Sequence, residues 1–115
     1  MIYEDNLKEA KGVLRELRPK LKGMKGGVFI SAYSNGREQG LTFRFYRANV
    51  CVLTAMVSEA RGSDEIVVYA KTRGPGGRTA YATDLTDEMY AGCTCFPPMG
   101  HKKAAAHIVK LLKKS

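Results

Sequence analysis

The sequence predicts an α+β fold: an N-terminal helix, an antiparallel β-meander of about five strands and a C-terminal helix, arranged as a two-layer single domain. Apolar residues recur at helical spacing near both ends of the 115-residue chain and alternate with period two in its middle. The alternating segments follow one another closely, separated by turn signals such as Asn35-Gly36, which is typical of hairpins. A chain of this length forms one domain, residues 1–115.

The first helix is predicted over residues 6–21. Its apolar side chains follow a 3-4-3-4 spacing that places them on one stripe: Leu7, Ala10, Leu14, Leu17 and Leu21. Asp5 or Asn6 is expected to cap its start through a side-chain oxygen. Pro19 should kink or end it, because proline disfavours helical geometry at the residue before it.

The strands are predicted at residues 28–33, 41–47, 50–57, 65–72 and 78–83. In the second strand, apolar and polar residues alternate as in a strand with one solvated face. The third is apolar at both parities and is therefore expected to be central. Residues 58–64 are expected to form a turn, and residues 92–100 are expected to be irregular because they contain Pro97 and Pro98.

The last helix is predicted over residues 102–114, with lysines on its outer side. Its inner side is apolar: Ala104, Ala105, Ile108, Leu111 and Leu112.

The net charge of +8 is concentrated near the two ends of the chain. Residues 26–99 carry seven basic and seven acidic side chains, whereas residues 11–25 carry six basic and one acidic, and residues 101–115 carry five lysines and no acid. Clustered positive charge of this kind is typical of proteins that bind polyanions, most often nucleic acid. It excludes proteins that mimic DNA, which are acidic.

The start of the last helix is the first candidate anion site. His101, Lys102 and Lys103 lie in its first turn, where positive charge opposes the helix dipole and a docked phosphate would relieve the conflict. The alternative is a solvated helix face. Over about a dozen residues this segment resembles the lysine-rich second helix of double-stranded RNA-binding domains, in which such lysines contact phosphates. The rest of the chain has more strands than that domain.

Two further candidate sites lie on the predicted sheet. Lys71 precedes the glycine-rich tip between Arg73 and Arg78, whose backbone amides and guanidinium groups could hold an anion; the alternative is a flexible basic turn. Arg44 and Tyr46 lie on a polar strand face, near tyrosines that could stack bases: Tyr33, Tyr69 and Tyr81. The alternative is that these tyrosines are structural.

No residue pattern indicates catalysis or a cofactor. Cys93, Cys95, His101 and His107 include metal-ligand types, but a Cys-x-Cys spacing and histidines six residues apart are not typical of zinc sites. We interpret the cysteines as reduced thiols, with Cys51 in the core. The acidic residues after the last predicted strand are best explained as helix caps: Asp84, Asp87 and Glu88. The chain is therefore not expected to be an enzyme.

The sequence leaves two functions open. The first is a small nucleic-acid-binding module in a cytoplasmic setting, with no membrane span because no run of about 18 apolar residues occurs. Its phosphate contacts would come from both basic helices and the hairpin tip: Arg15, Arg18, Lys20, Lys22, Lys102, Lys103, Lys110, Arg73 and Arg78. The second is an accessory factor, as phages and mobile elements encode, that binds an acidic protein or a phosphorylated small ligand. A homodimer is possible in this case.

Overall fold

The structure is a computed structural model that describes residues 7–24, 26–34, 38–60, 65–72 and 93–114. Within these ranges the elements follow in the order α1 (Lys8–Leu21), β1 (Gly27–Ser34), β2 (Glu38–Arg47), β3 (Val50–Ala60), β4 (Ile66–Thr72), β5 (Thr94–Phe96) and α2 (His101–Lys114).

The five strands form one antiparallel sheet in the order β1-β2-β3-β4-β5. Both helices lie on the same face of this sheet, and they pack mainly on β2, β3 and β4. The predicted α+β class, with one helix before and one helix after an antiparallel meander in the sequence, is confirmed.

The core lies between the sheet and the two helices. Leu41, Phe43 and Phe45 of β2 are buried on the helix side, as the period-two alternation predicts. Their neighbours on β3 share this face through the strand register, and the helices add Leu17 and Ile108. The core occupies one side of the sheet, so the outer sides of both helices are left to solvent.

The hairpin predicted around Asn35-Gly36 joins two strands that do pair. Ser34 is opposite Gln39 in the β1–β2 register, although residues 35–37 lie outside the described residues. A second tight turn connects β2 to β3 at Ala48 and Asn49, which have φ values of 49° and 64°. Positive φ at both positions is the geometry of a type I′ hairpin. Asparagine suits this turn, but alanine gives no signal for it.

Two predictions about irregular segments are wrong. Residues 94–96, placed in an irregular stretch, form β5, because a three-residue edge strand tolerates the following Pro97 and needs no backbone donor from it. Residues 58–60, assigned to a turn, belong to β3, where Ser58 is buried and its hydroxyl is hydrogen-bonded. The strand predicted at 78–83 lies outside the described residues.

The start of α1 also differs from its prediction. The residue before its first turn is Leu7, which makes no side-chain capping bond; Asp5 and Asn6 lie outside the described residues. Pro19 is inside the helix, which ends two residues later at Leu21. The cap is instead supplied by a residue distant in the sequence, as shown below.

Candidate nucleic-acid interface

The two helices lie side by side and run in the same direction. At their amino-terminal ends, Glu9 of α1 contacts His101 of α2. At their carboxyl-terminal ends, Leu21 and Leu112 line one cleft. The two basic segments of the sequence are therefore neighbours on one side of the sheet.

A carboxylate from another element lies at the amino-terminal end of each helix. Glu59 Oε1 on β3 accepts a hydrogen bond from the Ala10 amide at 2.8 Å. Glu9 Oε2 accepts one from the Met99 amide at 2.7 Å and lies 3.1 Å from His101 Nε2. Both acids provide negative charge where the helix dipoles are positive. The caps that the sequence lacks locally are thus supplied through the fold.

Gly12 allows the helices to approach closely at this end. A Cβ atom at Gly12 would lie 2.4 Å from the imidazole ring of His101, well inside van der Waals contact. The ring itself is held by Glu9. Glycine is therefore required here by helix–helix packing, and its unfavourable helix propensity is offset by that contact.

The opposite end of α2 is capped by an arginine. Arg47, the last residue of β2, donates a hydrogen bond from Nη2 to the backbone oxygen of Leu112 at 3.0 Å. A cation at the carboxyl-terminal end agrees with the helix dipole. Arg47 therefore has a structural role in fixing α2 on the sheet.

These contacts separate His101 from the two lysines of the first candidate anion site. The side chain of His101 is 17% exposed and faces Glu9, whereas Lys102 and Lys103 are exposed. The conflict between the first-turn lysines and the helix dipole is partly relieved by the Glu9 carboxylate. Of the three residues, Lys102 and Lys103 present charge to solvent and His101 does not.

The outer sides of the neighbouring helices α1 and α2 carry mostly basic side chains and are here called the helical basic surface. Its acidic residues are few, since Glu9 is buried and Glu16 is half-buried. Its ten exposed basic side chains, which include Lys22 just after α1, are Lys8, Arg15, Arg18, Lys20, Lys22, Lys102, Lys103, Lys110, Lys113 and Lys114. Seven-residue spacing puts Lys103 and Lys110 on one stripe of α2. Of the predicted residues, all those on the helices except His101 belong to this surface.

Arg44, Tyr46 and Lys71 lie elsewhere. The strand register places Arg44 opposite Thr54, and Thr54 opposite Lys71, on the sheet face that points away from the helices; Tyr46 has the same strand parity as Arg44. Arg44 is half-buried, and Lys71 is exposed. These residues therefore do not join the helical basic surface.

The centre of this second sheet face is buried. Thr54 is 0% exposed and Met56 is 2% exposed, so a base could not lie flat across the middle strands. The exposed ring on this face is Phe29 of the edge strand β1, which is 59% exposed and opposite Arg44. Phe29 was not among the predicted residues.

Tyr33 has a structural contact on the same face. Its hydroxyl is hydrogen-bonded to Ser58 of β3, across β2 at Gly40, which is opposite both residues in the register. A Cβ atom at Gly40 would lie 2.1 Å from the Val57 carbonyl oxygen. The row Tyr33–Gly40–Ser58 therefore ties three strands together.

The glycine-rich hairpin tip lies outside the described residues. So do the two arginines predicted to bind there, one tyrosine predicted to stack bases and three nearby acids: Arg73, Arg78, Tyr81, Asp84, Asp87 and Glu88. Lys71, near the end of β4, is the residue of that candidate site whose position the structure describes.

The metal-ligand types do not converge. Cys51 is buried, as predicted, and its Sγ lies 3.5 Å from Thr54 Oγ1. Cys95 alternates with Phe96, which packs against His107 at 5.7 Å between ring centroids on the helix side, so Cys95 has the parity of the other face. Within the part of the chain that the structure describes, no three His, Cys, Asp or Glu residues could hold a metal ion.

His107 of α2 is half-buried and lies beside Lys110. Burial against its surroundings and the neighbouring Lys110 ammonium lower the pKa of His107 below its ordinary value of 6.5. His107 is therefore neutral at physiological pH and adds no charge to the helical basic surface.

No protein-family model, curated protein or solved structure matches this chain. Among the described helices, none is long and apolar enough to cross a bilayer.

Proposed function

We propose that this chain is a non-enzymatic nucleic-acid-binding module that contacts phosphates through the helical basic surface. The observation that supports this is the parallel packing of α1 and α2 on one face of the sheet. Two basic segments that are distant in sequence thereby form one surface. Had they faced opposite directions, neither could have reinforced the other on a single polyanion.

The dimensions of the surface suit a nucleic-acid backbone. Each helix has 14 residues, which corresponds to about 21 Å of length at 1.5 Å per residue. Duplex DNA presents about one negative charge per 1.7 Å of its axis, so roughly 12 phosphates lie within this distance. Several of the ten exposed cations can therefore contact different phosphates at the same time.

The composition of the helices favours contacts to the backbone over contacts to bases. Neither α1 nor α2 contains Phe, Tyr or Trp, the rings on which single-stranded bases stack. Lysine, the main cation of α2, acts as a point charge towards phosphate. We therefore expect binding with little sequence preference and strong dependence on salt.

Charge reversal on the two sides of the molecule tests this proposal. Lys103→Glu changes the helical basic surface, and Lys71→Glu makes the same charge change on the other sheet face; both residues are exposed. Fluorescence anisotropy with labelled single- and double-stranded DNA and RNA gives the affinity of each variant. We expect Lys103→Glu to weaken binding about tenfold, which corresponds to about 1.4 kcal/mol, and Lys71→Glu to have a much smaller effect.

Equal losses in the two variants would contradict a site on the helices, because they would reflect net charge alone. Absence of binding by the wild type at near-physiological salt would contradict nucleic acid as the partner. That result would favour the second function, in which an acidic protein or a phosphorylated small ligand is bound.

A further inference from the structure

Within the described residues, β1 lacks the protective features of the other edge of the sheet. Edge strands of monomeric proteins are commonly short, charged, interrupted by proline or covered. β5 has three residues and is followed by Pro97 and Pro98. β1 has eight residues, Gly27–Ser34, with no charged side chain and no proline.

β1 is also exposed on both of its faces. Val28, on the helix side by its pairing with Phe45, is 40% exposed, and Phe29, on the other side, is 59% exposed. The helices pack mainly on β2, β3 and β4, so β1 projects beyond the helical layer. Within the described residues β1 has a strand partner, β2, on one of its two sides.

We propose that β1 is the interface of a homodimer, in which two copies pair antiparallel along this strand and form one continuous ten-stranded sheet. An antiparallel strand pair is self-complementary under a two-fold axis. The β1 strand of a second copy can therefore form backbone hydrogen bonds with the open edge of the first. This inference does not depend on nucleic-acid binding.

The distribution of charge favours a second copy of this chain as the partner that pairs with β1. The chain carries a net charge of +8, which would normally keep copies apart. The exposed cations lie on the outer sides of the helices, whereas β1 is neutral and apolar at its exposed positions. A heterologous partner attracted by the positive charge would meet the helices, whereas two copies that approach along β1 meet through strands without charged side chains. The repulsion between their basic helices is screened at high salt.

The dimer has a consequence for the helical basic surface. With the two-fold axis perpendicular to the sheet, both pairs of helices lie on the same side. The two β1 strands then form the floor between them, and α1, which packs on β2 and β3, is the nearer helix on each side. The dimer would present two copies of the helical basic surface on the same side of the joined sheet.

The interface is small, which sets the design of the test. Eight residues of strand extend about 26 Å at 3.3 Å per residue, and a single strand pair buries less than the roughly 1,200–2,000 Å² of stable complexes. We therefore expect a reversible dimer. Sedimentation equilibrium of nuclease-treated protein at high salt, over about 5–500 μM, should show the mass rise from 12.7 kDa towards twice that value.

Two variants with the same charge change provide the control. Phe29→Glu places a carboxylate on the edge strand opposite Arg44, where it suits the folded protomer, but it replaces the exposed apolar ring of the proposed interface with a charge in each copy. Met99→Glu makes the same change at a 71% exposed position outside β1. We expect Phe29→Glu to stay at the monomer mass and Met99→Glu to dimerise as the wild type does.

Hydrogen exchange locates the interface without any substitution. Amides of residues 27–34 should become more protected as the wild-type concentration rises, whereas those of residues 94–96 should not change. A wild type that remains monomeric throughout, equal dimerisation of the two variants, or concentration-dependent protection outside β1 would each overturn the proposal.

Discussion

The carboxylate of Glu9 lies 3.1 Å from the Nε2 atom of His101, 92 residues later in the chain. The same Glu9 oxygen accepts the Met99 amide, so one buried acid holds both the backbone and the side chain at the start of α2. This contact joins the amino-terminal ends of the two basic helices. The first two predictions concern it.

Glu9→Gln should lower the free energy of unfolding by about 1–3 kcal/mol, because hydrogen bonds to a neutral amide oxygen are weaker than those to a carboxylate and the uncharged side chain no longer complements the helix dipole. Urea unfolding measures this. Glu16→Gln, at a half-buried position on the same helix, should change stability by less than about 0.5 kcal/mol. Equal effects of the two substitutions would contradict the role assigned to Glu9.

Gly12→Ala should destabilise the protein by roughly 1–3 kcal/mol through overpacking against the His101 ring, although alanine is the better helix former by about 1 kcal/mol. A double-mutant cycle with His101→Ala provides the control. In that background the added methyl has room, so Gly12→Ala should become neutral or stabilising. A cost that is unchanged without the ring would mean that another contact is responsible.

Gly40→Ala should be among the most damaging single substitutions, at about 3 kcal/mol or more. Its Cβ would lie 2.1 Å from the Val57 carbonyl oxygen, a backbone atom that cannot move without disturbing β3. Gly27→Ala, where a Cβ meets nothing within 4 Å, should be nearly neutral. Thermal unfolding of the two variants checks this prediction, and similar melting temperatures would contradict it.

His107 should titrate below 6.5 when its ring resonances are followed by NMR, because burial and Lys110 lower its pKa. Lys110→Gln should raise the pKa of His107 part of the way back. In the unfolded chain His107 binds a proton more readily, so its contribution to stability is complete above pH 6.5 and is lost as pH falls towards the folded-state pKa. His107→Gln should show a flatter dependence of unfolding free energy on pH over that window.

The main elements of the fold can be predicted from this sequence because their signals are local. The apolar stripe of α1 and the alternation of Leu41, Phe43 and Phe45 are periodicities that any buried helix or strand must show. The short strand β5 and the Ala48-Asn49 turn are exceptions, since three residues carry no period and alanine is a poor indicator of positive φ.

The composition of the candidate surface was predictable, but its geometry was not. Seven of the ten exposed cations could be named from charge clustering, whereas Lys8, Lys113 and Lys114 were not among the predicted residues. The contacts that place those helices together could not: Glu9, Glu59 and Arg47 each act on an element far away in the chain. Sequence reasoning also assigned His101 to an anion site, whereas its ring faces Glu9.

The most direct test of the central claim is the salt dependence of nucleic-acid affinity for matched neutral variants. If the helical basic surface contacts phosphates, Lys103→Gln should reduce the slope of log affinity against log salt by about 0.7–0.9, the value for one lost phosphate contact. Lys71→Gln should leave the slope unchanged. An unchanged slope for Lys103→Gln, or an equal reduction for both variants, would contradict binding through the helices.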